Sequence, residues 1–101
     1  MVREDKRAAA FWILRAAEQG FAPAEFQAGI WYRDGKNGSQ DRARAYFWLD
    51  WAASQGFTRA GKDRKVLARR MTPRELTEAK RLLAIRKAFE TGVVPPVETS
   101  P

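Results

Sequence analysis

Along the chain, apolar residues recur at helical rather than strand spacing, and short Gly- or Pro-containing breaks interrupt them. Trp12 and Ala16 are four apart, as are Trp48 and Ala52, so each pair lies on one face of a helix. A bulky side chain followed one turn later by a methyl group lets a neighbouring helix approach closely. Gly20 and Gly56 stand directly after Gln19 and Gln55, where a left-handed residue would stop each helix. Phe21 and Phe57 can then fold back on the last turn, and Pro23 suits the first turn of the helix that follows. Further on, Leu76, Ala79, Leu82, Leu83 and Phe89 form an apolar stripe with Arg and Lys on the opposite face. Together these signals predict five helices, at about 4–19, 22–33, 40–55, 58–70 and 73–91. The short connections make successive helices antiparallel.

The pattern repeats. Shifted by 36 residues, Ala9 to Ala24 falls on Ala45 to Ala60 with nine of sixteen positions identical. The shared residues include Phe11/Phe47, Trp12/Trp48, Ala16/Ala52, Gly20/Gly56 and Phe21/Phe57. A period in the thirties with helical spacing means stacked helix pairs.

Ala22, Ala24, Phe26, Gly29, Tyr32, Gly35, Asp41, Ala45, Trp48, Ala52, Ala53 and Gly56 resemble the Sel1-like repeat family, a relative of the tetratricopeptide repeats. That pattern runs from a small-x-small-x-aromatic start through Gly and Tyr to a Gly-rich turn and Asp. It then continues with Ala-x-x-Trp and closes on Ala-Ala-x-x-Gly. The resemblance covers one complete repeat, about 22–57, between the second helix of an earlier repeat and the first helix of a later one. It implies an all-α fold, a short α-solenoid of about five antiparallel helices. Three departures stand out. Ala28 replaces the usual Leu and should leave the repeat core slightly emptier. The loop from Gly35 to Ser39 lacks the usual ending, although Asn37 and Gly38 tolerate positive φ and Ser39 can act as an N-cap. After Ala60 the pattern fades, with Lys62 in place of the aromatic residue and Lys65 in place of the glycine.

The last helix announces itself independently. Thr72 at N-cap, Pro73 at N1 and Glu75 at N3 make a capping box, with Met71 and Leu76 at the staple positions. It is expected to act as a C-terminal capping helix. After Gly92, a Val- and Pro-rich stretch to Pro101 cannot continue a helix. The expected organisation is a single helical domain over 1–92 and an extended or disordered tail over 93–101.

Composition narrows the chemistry. The chain has no Cys and no His, which removes disulfides, thiol nucleophiles, thiolate metal sites and the usual imidazole bases. No carboxylate pair has acid/base spacing, and Gly35-Lys36-Asn37-Gly38 lacks the ending of a phosphate loop. No catalytic residue, cofactor or metal site is expected. Neither a leader segment nor a membrane span is evident, and a cytoplasmic location is the expectation. The net charge of +7 is concentrated. Residues 57–90 carry eleven basic against four acidic side chains, whereas residues 1–56 nearly balance.

Two surfaces are therefore candidates. Phe11, Trp12, Phe26, Tyr32, Phe47 and Trp48 occupy core positions of the repeat by resemblance, but Trp31 and Trp51 exceed the pattern and are either extra core or partner contacts. By the same resemblance the first helix of each pair lines the concave side, which adds Gln27, Asp34, Arg59 and Lys62. The second candidate is the basic set Arg64, Lys65, Arg69, Arg70, Lys80 and Arg81, which is either a solvated face, a docking site for an acidic protein surface or a contact to a phosphate backbone. The expected function is a non-enzymatic protein–protein interaction module, an adaptor or inhibitor. The alternative is a small factor that binds nucleic acid or nucleoprotein through its basic C-terminal helices. Self-association is a further expectation, because so few repeats leave helix faces uncovered.

Overall fold

In the computed structural model, the described residues are 6–35 and 40–92. They form five helices: α1 (Lys6–Glu18), α2 (Ala22–Asp34), α3 (Arg42–Ser54), α4 (Thr58–Ala68) and α5 (Pro73–Glu90). No strand occurs among the described residues. The expected tail over 93–101 and the expected cap Ser39 lie outside them. Helix α3 starts two residues later than the sequence pattern suggests, and Asp41 caps it by accepting a hydrogen bond from the Arg44 amide at 3.0 Å.

The punctuation is as the sequence predicts. Gly20 and Gly56 have φ of 87° and 92°. In each case the next residue's amide reaches back five residues, Phe21 to the Ala16 carbonyl and Phe57 to the Ala52 carbonyl. These are Schellman closures, which only a residue without Cβ adopts cheaply. Gly92, a further 36 residues on, takes the same left-handed backbone with φ of 79°. Ala16, Ala52 and Ala88 share that spacing too. Helix α5 therefore holds the place of the second helix of a third pair, although most of the repeat's side chains are gone from it. Its start is the expected capping box: Thr72 and Glu75 exchange hydrogen bonds of 2.9 and 3.1 Å.

Packing follows the chain order, with α1 on α2, α2 on α3 and α3 on α4, and then departs from it because α5 lies on α3. Arg42 pairs with Glu75 at 3.6 Å near the start of these two helices, and Arg86 covers Trp51 near their ends. The two helices thus run side by side in the same direction.

The core is built from small residues. One cluster joins Leu49 to Ala43, Ala45, Ala52, Ala60, Leu67, Met71 and Ala79. A second joins Trp48 to Ala17, Ala24 and Ala28, and Tyr32 packs against both. Gly29 sets the closest approach: a Cβ there would lie 2.8 Å from the Leu49 side chain and 3.2 Å from the Ala45 carbonyl. Beside Ala28 the missing Leu leaves a void of only about 10 Å³, because Ile13, Leu14 and Trp31 close around it.

Two expectations about the core need correction. Phe11 and Trp12 are 53% and 69% exposed, not buried. Their counterparts Phe47 and Trp48 form the same edge-to-face ring pair, at 4.9 Å against 5.6 Å. Trp48 is covered by α1 and α2, whereas among the described residues no helix pair stands on the corresponding side of α1. Phe89 also leaves its predicted stripe and is 63% exposed, while Arg86 takes an inward position.

Candidate functional site

The first candidate site lies where α5 meets α2 and α3. The Arg86 guanidinium stacks over Trp51 at 4.1 Å and also lies over the Trp48 and Phe47 rings, at 5.4 and 5.7 Å. Such a cation–π seat strengthens as water is removed. Under the same guanidinium lies Glu25, which is fully buried on α2. Arg86 Nη1 is 3.3 Å from Glu25 Oε2, an ion-pair contact with poor hydrogen-bond alignment. Gln55 donates a hydrogen bond to the other carboxylate oxygen. Burial pushes the Glu25 carboxyl above its ordinary range; Arg86 pulls it back, and nearby Glu90 adds to the rise. The indole N–H of Trp51 is buried and has no hydrogen-bond partner among the described residues. Behind it, α3 and α5 enclose an open cleft of about 400 Å³ that reaches Leu83 and Lys87.

The second candidate site is a cleft of about 480 Å³ bounded by α2 and α4, with the start of α3 at its end. Arg33 and Asp34 come from the end of α2 and Arg42 from the start of α3, while Asp63, Val66 and Arg70 come from α4 and the turn after it. Arg33 holds Asp34 with two hydrogen bonds of 2.8 and 3.2 Å, which raises the guanidinium's own pKa further. Gln40 donates to the Arg33 carbonyl at 2.9 Å and fixes the end of α2.

These two sites redistribute the residues singled out from sequence. Among the six partner candidates, Asp34 lines the α2–α4 cleft. Trp31 is half-buried in the seam between α1 and α2, and Trp51 lies under Arg86, so neither is a freely presented anchor. Gln27 and Lys62 are exposed, and exposed Arg59 stacks over the Phe26 ring at 5.5 Å. The members of the basic set differ in their contacts. Arg64 is bound to Asp50 of α3 at 2.5 Å, and Arg81 to Glu78 of its own helix at 2.7 Å. Lys65, Arg69 and Lys80 point to solvent, and Arg70 enters the cleft. Sequence reasoning missed Glu25 and Arg86. Spacing held the signal: Ala79, Leu83 and Arg86 fall on one helical face, as do Glu25, Ala28 and Gly29.

Stacked helix pairs with a 36-residue period, each closed by a left-handed glycine, make this a short α-solenoid. The sequence model of the Sel1 repeat family matches residues 1–21 and 22–57, and the chain belongs to that family. Comparison with curated proteins and with solved structures gave no match. Sel1 repeats are generally protein–protein interaction modules and are typically non-enzymatic. Among the described residues, no helix is long and apolar enough to cross a membrane.

Proposed function

We propose that this chain is a non-enzymatic adaptor or inhibitor, working in the cytoplasm, whose single helical domain over 1–92 binds a partner protein through its repeat surface. The observation that carries this reading is the Phe11–Trp12 pair. It has the edge-to-face arrangement of Phe47–Trp48, yet it lies exposed where Trp48 has a helix pair to cover it. Exposed aromatic pairs of this kind are strong interface anchors, because each ring removes much apolar area from water at little entropic cost. The partner face that fits is helical with small side chains, as Ala17, Ala24 and Ala28 are for Trp48.

The test is co-purification of the tagged chain from its native host, alongside the Trp12→Ser variant. A specific protein should accompany the wild type and disappear with the variant. Equal recovery in both, or no protein at all, refutes the reading.

Nucleic-acid binding is the weaker reading. Its support is the basic excess over 57–90, but Arg64 and Arg86 of that excess spend their charge on Asp50 and Glu25 of earlier helices. A phosphate track needs several uncommitted cations in a row. Binding to single or double strands at low salt that falls steeply as salt rises would restore it.

A further inference from the structure

We propose that the cleft between α2 and α4 is a carboxylate-binding site. It would take an Asp or Glu side chain of a partner segment together with an adjoining apolar residue. This inference rests on the protein-interaction reading above and adds the chemistry of the bound segment.

Three arginines, Arg33, Arg42 and Arg70, line the cleft together with Asp34 and Asp63. Arg33 is committed to Asp34, and Arg42 leans towards Glu75 at 3.6 Å. The Arg70 guanidinium enters no ion pair among the described residues. A planar fork of donors left open beside a cleft suits a carboxylate, which it can hold with two parallel charge-assisted hydrogen bonds.

The neighbouring wall is apolar. Val66 sits one turn before Arg70 and is 54% exposed, and Leu67 closes the floor beneath it. A ligand that places a carboxylate on Arg70 therefore meets an uncovered aliphatic surface about one side chain away. The combined demand, one negative charge and one apolar group at neighbouring positions, is that of an acidic peptide segment. A phosphate fits worse. A phosphomonoester's second negative charge would face Asp63, and among the described residues no aromatic side chain lines the cleft for a base to stack on.

Both key residues lie at the surface, so they can be changed without disturbing the core. The experiment selects short random peptides against the intact chain and measures binding of the enriched peptides by fluorescence polarisation. Enriched peptides should carry Asp or Glu next to an aliphatic residue. Changing that acid to its amide should weaken binding about ten-fold or more, as should Arg70→Glu or Val66→Glu in the protein. A peptide with Arg in place of the acid should regain binding to Arg70→Glu. The inference fails if no peptide is enriched, if the enriched peptides lack an acid, or if they bind Arg70→Glu as well as wild type. It also fails if short single-stranded DNA displaces them with the same dependence on Arg70. Peptides that tolerate the cleft substitutions but are lost with Trp12→Ser would remove this site and leave the protein-interaction reading intact.

Discussion

Arg86 rests 4.1 Å above the Trp51 ring while its Nη1 stays 3.3 Å from the buried Glu25 carboxylate. One side chain of α5 therefore touches both helices of the complete repeat, the start of α2 and the end of α3. Truncating it removes the ring stack and strands a buried carboxylate. Losing one partner of such a pair costs about 3–5 kcal/mol. Arg86→Ala should lose stability of that order in urea unfolding. Arg86→Lys keeps the charge without the planar stack, so it should lose distinctly less. Equal, small losses for both would mean that α5 is held elsewhere.

Glu25 also makes stability depend on pH in a definite direction. Its carboxyl is raised above the ordinary value of 4.5, chiefly by burial, so the folded chain keeps this proton at a pH where the unfolded chain has released it. The contribution is complete below the unfolded value and fades as pH climbs through the folded one. Glu25→Gln lacks this titration. Measured from about pH 4 to about pH 7, wild type should lose stability relative to Glu25→Gln as the pH rises. A flat difference, or one that grows in favour of wild type, contradicts the stated balance of burial over pairing.

The two tryptophans at equivalent repeat positions should behave in opposite ways. Trp48 is 9% exposed and sits among alanines that cannot refill its space. Trp48→Ala should therefore cost about 3–5 kcal/mol. Trp12 is 69% exposed, and Trp12→Ala should stay within about 0.5 kcal/mol of wild type. Thermal unfolding of the pair checks both. Similar losses would show that α1 is covered on its outer side after all.

Gly29 offers a conflict between local propensity and packing. Alanine there gains roughly 1 kcal/mol of helix propensity. The added methyl would meet fully buried Leu49 at 2.8 Å and the Ala45 carbonyl at 3.2 Å, and overpacking of this kind costs about 1–3 kcal/mol. Because Leu49 has no space to retreat into and the carbonyl belongs to a helix backbone, the clash should win. Gly29→Ala is expected to lower the melting temperature; a rise would mean that α2 and α3 can part at little cost.

Local grammar made much of this fold legible. The glycines at 20 and 56, the capping box at Thr72 and the Trp–Ala faces each predict an element on their own, and each is present. What the sequence could not show was which neighbours are in place. The repeat equates Trp12 with Trp48, but equivalence of position says nothing about whether a helix pair stands beside it. The basic residues divide for a related reason. A charge count over 57–90 cannot separate Arg70, which enters no ion pair among the described residues, from Arg64 and Arg81, which are bound to carboxylates on their own chain. The role of Arg86 was readable from its spacing, but an arginine on an apolar stripe gains meaning only once Glu25 and Trp51 are seen beneath it.

The claim that this repeat surface is built to hold another protein is tested most directly by a photo-crosslinker placed at position 12 in the native host. Irradiation should yield a discrete adduct with a different protein, resistant to nuclease and absent when the same crosslinker replaces solvent-facing Lys80. An adduct that nuclease removes, one containing only a second copy of this chain, or no adduct at all would contradict it.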